Sequence, residues 1–156
     1  YNKLMNFKTN GTFVIKNFLT TKEVEHLIDL QDKISSWSWE DEYKSDLRLF
    51  GAERLDESFF LKLTKRIDSL FKEITNKDHI NTWMLNKTYG LDKSKGSGGG
   101  WHRDDPLRRQ YKFIIYLTDV ETTNGPFQYL LKHLHSMDLE LKVSHKLHLP
   151  LFLTPF

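Results

Sequence analysis

Apolar positions along this chain change their period several times, and each change marks an element. Residues 11–19, Gly-Thr-Phe-Val-Ile-Lys-Asn-Phe-Leu, are rich in β-branched and aromatic side chains and predict a short strand. Thr20 follows, with Glu23 three residues on, the spacing of a capping box. Leu19 and Val24 fall at the two positions of a hydrophobic staple. Val24, Leu27, Ile28 and Ile34 then recur at helical spacing and predict a helix over residues 21–35. Residues 37–50 are polar with scattered aromatics and predict a loop or short strand, and Arg48 and Arg54 flank Gly51. Asp56 is placed to cap a second helix, in which Phe60, Leu63, Ile67, Leu70, Phe71 and Ile74 form one apolar stripe.

The second half is strand-like. Residues 80–89 predict a strand with alternating faces, and residues 91–100 a Lys/Ser/Gly loop too rich in glycine to be regular. Residues 111–120 form the strongest strand pattern of the chain. Phe113, Ile115 and Leu117 should share one face there, with Lys112, Ile114, Tyr116 and Thr118 on the other. Asn124-Gly125-Pro126 is a turn, and residues 127–131 are the next strand. From Lys132 onward the residues keep no clear period, although His133, His135, His145 and His148 all lie there.

Composition narrows the classes. With 156 residues the chain is long enough for one domain with a real core. Aromatics reach 13%, which suits a sheet-rich core with a lined pocket. A net charge of +2 calls for neither nucleic acid nor an anionic membrane, and no apolar run approaches the length of a membrane span. There is no cysteine, hence no disulfide framework and no thiolate metal site. With no visible leader, the expected location is cytoplasmic. The first residue is Tyr1 rather than Met, and the expectation is a fragment.

The chemistry concentrates in Gly96-Ser97-Gly98-Gly99-Gly100-Trp101-His102-Arg103-Asp104-Asp105-Pro106. His102 and Asp104 are two residues apart, so on a strand an imidazole nitrogen and a carboxylate oxygen point to the same face. Two histidines and one carboxylate on one face, with open positions opposite, suit a non-haem Fe(II) oxygenase. The glycines let the backbone approach closely, and Asp105-Pro106 ends the strand. A His-x-Asp by itself also describes an ordinary exposed strand end.

These segments together resemble the phytanoyl-CoA dioxygenase family of Fe(II)/2-oxoglutarate oxygenases. The likeness lies in Gly11 to Val24, in Gly100-Trp-His-Arg-Asp, and in Tyr-Lys-Phe-Ile-Ile-Tyr-Leu-Thr-Asp-Val from Tyr111 followed by Asn-Gly-Pro-Phe-Gln-Tyr-Leu from Asn124. It covers residues 11–131 of a single domain spanning residues 1–156, with residues 132–156 as an atypical tail. The resemblance implies an α+β, mainly β fold: a double-stranded β-helix, or jelly-roll, with N-terminal helices packed outside. It implies His102 and Asp104 as iron ligands and catalytic residues. It also implies Met84, Asn86 and Tyr116 beside the co-substrate. The implied requirements are Fe(II), 2-oxoglutarate and O2, with hydroxylation of a small-molecule substrate; a carboxylate at 104 favours hydroxylation over the halogenation of related enzymes. Oligomeric state is not implied.

The chain departs from that pattern after Asp104. The family takes a third ligand, a histidine, from a late strand, and an arginine shortly after it clamps the far carboxylate of 2-oxoglutarate. Here His145 is the candidate ligand and His148 the alternative, and no arginine follows Arg109. No glycine follows Gly125, so the distal strands are expected to be missing or altered and the enzyme impaired. Lys146, or an upstream arginine such as Arg54, is the stand-in for the clamp. Two other readings remain open: a non-catalytic jelly-roll binding module, and a histidine-rich metal-binding tail over residues 133–148.

Overall fold

The computed structural model describes residues 12–75, 82–90, 111–121, 123, 127–130, 141–143 and 151–155. The chain divides into two compact units, Tyr1–Ile28 with His102–Phe156, and Asp29–Trp101. The described residues mix helices with antiparallel strands.

In the first unit, strand β1 (Phe13–Ile15) is shorter than its pattern. Asn17 adopts φ 55°, a left-handed conformation that a short polar side chain tolerates, and the resulting turn releases Phe18 and Leu19 into the interior. Helix α1 (Thr21–Asp32) starts where the capping box places it. The Thr20 N–H donates to Glu23 Oε2 (2.7 Å) and the Glu23 N–H donates to Thr20 Oγ1 (3.3 Å). Leu19 and Val24, the staple pair, are both buried, as is Leu27 one turn on.

The same unit holds strands β5 (Tyr111–Ile115), β6 (Gln128–Leu130), β7 (Leu141–Val143) and β8 (Leu151–Pro155). Strand β8 is central: it pairs antiparallel with β1, Val14 opposite Phe152, and with β5, Phe113 opposite Leu153. β6 pairs with β7, Tyr129 opposite Lys142. The tail that carries no readable period thus supplies two strands. β5 stops at Ile115, five residues short of its pattern, because its ladder ends where Ile115 meets Leu151, the first residue of β8. Leu117 and Thr118 lie beyond it in a bend, so the two-face pattern holds only from 111 to 115.

In the second unit, α1 ends at Asp32 rather than at Ser35. The Lys33 N–H donates to Leu30 O and the Ile34 N–H to Gln31 O, both 3.3 Å. These i→i−3 bonds tighten the last turn and stop the helix. Strands β2 (Trp39–Glu40), β3 (Asp46–Phe50) and β4 (Met84–Thr88) form a three-stranded sheet in that order. The turn between β2 and β3 closes on Asp41, whose carboxylate accepts from the Ser45 hydroxyl (2.6 Å) and from the Asp46 N–H (3.0 Å).

Helix α2 (Glu57–Thr75) is capped by Asp56, whose Oδ1 accepts from the Phe59 N–H (3.0 Å). Phe60, Leu63, Ile67 and Phe71 follow at helical spacing, each at most 2% exposed. Each such side chain contributes about 1.5–3 kcal/mol by leaving water. Leu70 is only partly buried, and Ile74's side chain lies outside the described residues. Trp83 packs its ring against Phe60 (centroids 5.2 Å) and donates its indole N–H to Thr64 Oγ1 (2.9 Å). The Trp83 carbonyl accepts from both the Gly51 N–H (3.0 Å) and the Ala52 N–H (3.1 Å), which ties the exit of β3 to the entry of β4. Gly51 makes this possible at φ +68°, a left-handed conformation; a Cβ there would meet the Arg54 guanidinium at 2.6 Å. No described helix is long and apolar enough to cross a membrane.

Candidate functional site

Of the site residues singled out in the sequence, Met84, Asn86, Tyr116 and the stand-in Arg54 are described. His102, Asp104, His145 and His148 lie outside the described residues, as does Lys146. Among the described residues there is no group of three or more metal-ligating side chains.

Met84 and Asn86 stand on β4 with the alternation expected of a strand. Leu85 between them is buried, while Met84 and Asn86 are exposed on the opposite face. Directly opposed residues of an antiparallel pair share a face. The register sets Phe50 opposite Met84, Arg48 opposite Asn86 and Asp46 opposite Thr88. On the far side of β3, Trp39 is opposite Arg48. Trp39, Arg48 and Asn86 therefore form one row across three strands, a grouping that no single-strand pattern reveals.

That row is internally ordered. Arg48 donates through Nε to Asp46 Oδ1 (3.3 Å) and through a terminal nitrogen to Asp46 Oδ2 (2.6 Å). Its guanidinium carbon lies 4.6 Å from the centroid of the Trp39 ring, a cation–π distance. Asp46 is 2% exposed, so its charge is buried and balanced by this pair. The Thr88 hydroxyl donates to Asn86 Oδ1 (2.8 Å), so the NH2 end of the amide is the part left to donate. The Asn86 carbonyl accepts from Gln31 Nε2 (3.2 Å), which anchors the outer edge of β4. Arg54, the upstream stand-in for the clamp, is engaged elsewhere: its guanidinium donates to Gly51 O (3.2 Å) and Phe50 O (3.1 Å).

Tyr116 lies in the first unit, one residue past β5, whereas Met84 and Asn86 lie in the second. Its phenolic oxygen accepts from the Phe127 N–H (2.8 Å) and so holds the start of β6. Burial pushes the phenol above its ordinary value of 10, with the Phe127 hydrogen bond opposing that shift.

The described residues mix helices with antiparallel sheets, and the sequence carries His102 and Asp104 after a glycine run. The sequence profile of the phytanoyl-CoA dioxygenase (PhyH) family matches residues 7–133, and the chain belongs to that family, whose members are generally oxygenases. No curated protein and no solved structure matches the chain.

Proposed function

We propose that the chain is an Fe(II)- and 2-oxoglutarate-dependent dioxygenase domain, built on the jelly-roll of its family, that hydroxylates a small-molecule substrate. The observation that carries this reading is the family match over residues 7–133, which encloses His102 and Asp104. Those two residues would hold the iron, with His145 as the third ligand. The donor types fit: one imidazole nitrogen and one carboxylate oxygen, joined by a second imidazole, are the set that non-haem Fe(II) favours. When bound, the iron supplies the centre at which O2 is consumed as 2-oxoglutarate is decarboxylated to succinate and the substrate is hydroxylated.

The chain's own residues bind and orient. Asn86, its amide set by Thr88, offers an N–H donor to a carboxylate or keto oxygen. Met84 and Phe50 on the same face offer apolar contact to an aliphatic body. Tyr116 keeps the start of β6 in place through its bond to Phe127.

The test is succinate formation from 2-oxoglutarate with Fe(II), ascorbate and candidate substrates. The expected result is weak turnover, largely uncoupled from substrate, as an altered distal half implies, and lower still in His102→Ala and Asp104→Ala controls. Wild-type chain no more active than His102→Ala would instead support the non-catalytic binding module.

A further inference from the structure

Strands β1 and β5 are not neighbours in their sheet: each pairs with β8, which fills a gap one strand wide between them. Tyr111 to Ile115 oppose Pro155 to Leu151 on one side, and Phe13 to Ile15 oppose Leu153 to Leu151 on the other. Without β8, two strand edges about 10 Å apart would face one another, each with unpaired N–H and C=O groups. We infer that this slot also accepts the β8 strand of a second copy, so that the chain forms a strand-exchanged dimer.

Three observations carry the exchange. The first is that β8 forms no ladder with the strand before it, since β7 pairs with β6. The partners of β8 lie at residues 13–15 and 111–115, so its ladder contacts are long-range. A strand that closes so long a loop docks late, and meanwhile its slot stands open to the same strand of another chain. The second is the connection from β7 to β8. Residues 144–150, Ser-His-Lys-Leu-His-Leu-Pro, contain no glycine, and Pro150 directly precedes β8. Proline biases the residue before it towards extended backbone. Fully extended, a connection of this length reaches roughly 25 Å, far enough to place β8 in a neighbouring copy. The third is that pairing is preserved. An exchanged β8 meets the same residues of β1 and β5 in the same register, so exchange forfeits no ladder bond and the two forms differ in the route of the connection. Which form prevails then depends on chain concentration.

The chain has no cysteine of its own, so an introduced disulfide reports which chains are paired. Val14 and Phe152 are directly opposed. Opposed residues of antiparallel strands have Cα atoms about 4.5–5.5 Å apart, within the span of a disulfide. Val14→Cys and Phe152→Cys are made in separate full-length chains, mixed in urea, refolded at low and at high concentration, and oxidised. Wild type is refolded alongside and sized by light scattering. The expected result is a wild-type dimer whose share rises severalfold with concentration, and a disulfide joining residues 14 and 152 of different chains, identified by mass spectrometry. Ile114→Cys, which also opposes Phe152, takes the place of Val14→Cys if that variant does not melt cooperatively. Monomer alone at every concentration overturns the inference, as does a dimer that yields no link from residue 152 to residue 14 or 114 of its partner. Both readouts are made without iron or 2-oxoglutarate, so the dioxygenase reading stands or falls separately.

Discussion

Replacing Arg48 by methionine would leave the aliphatic stem over Trp39 but strip Asp46 of the two hydrogen bonds that balance its buried carboxylate. Breaking a buried ion pair from one side costs about 3–5 kcal/mol, because the remaining charge is uncompensated. Here the Asp46 side chain is 3% exposed, which argues for the full penalty, whereas Arg48 is 24% exposed, which lets water reach the vacated space. The lower end, about 3 kcal/mol, is therefore expected. Asp46→Asn removes the charge at its source and should cost less, about 1–2 kcal/mol, since the arginine is left nearer to solvent. The double variant should cost less than the sum of the singles by at least about 1.5 kcal/mol, the coupling of a contacting, charge-assisted pair. Urea unfolding followed by tryptophan fluorescence closes the cycle. A coupling below about 0.5 kcal/mol, the additivity expected of independent sites, would refute the claim that the pair is a single ordered unit.

Three further outcomes follow from named contacts. Thr20→Ala should cost about 1 kcal/mol and Thr20→Ser little, because Thr20 Oγ1 accepts the Glu23 N–H at the start of α1; equal stability of all three chains in urea would contradict the cap. Asp41 is held below the usual carboxylate value of 3.8 chiefly by the Ser45 hydroxyl, with the Asp46 and Ser45 N–H groups adding to it against partial burial. A depressed value stabilises the fold above the unfolded pKa, and that contribution is lost as pH falls through the folded one. Asp41→Asn should therefore flatten the loss of stability below about pH 4 in urea midpoints, and an unaltered acid limb would contradict this. Tyr116 is raised by burial, so its contribution is full below pH 10 and is lost as pH rises through the folded value. Tyr116→Phe should remove one phenol from the part of the 295 nm titration above pH 10; loss of a normally titrating phenol would contradict the burial assigned to it.

What could be read from the sequence was local. The Thr20–Glu23 box, the Leu19–Val24 staple, the Asp56 cap and the stripe from Phe60 to Phe71 each depend on residues a few positions apart, and each is found where the spacing puts it. Element ends were less legible, since they depend on partners. β5 ends with its ladder to β8, and α1 ends in i→i−3 bonds over Leu30 and Gln31. Asp46–Phe50 reads as loop or short strand because alternating charge masks its pattern, yet it is the middle strand of its sheet. The pairing of β8 with β1 joins residues near opposite ends of the chain, and no periodicity encodes such a register. The same holds for the site. Met84 and Asn86 share a face by simple alternation, as expected, but the Trp39–Arg48–Asn86 row comes from two strand pairings and the Arg48–Asp46 bridge from burial.

The most direct test of the central claim is anaerobic addition of Fe(II) to the chain with 2-oxoglutarate, read by visible absorption. A dioxygenase site gives a metal-to-ligand charge-transfer band that saturates with 2-oxoglutarate, disappears in His102→Ala and Asp104→Ala, and is absent with glutarate, which lacks the keto oxygen needed for chelation. No band in the wild-type chain at saturating Fe(II) and 2-oxoglutarate, or a band of equal strength in both variants, would contradict the account.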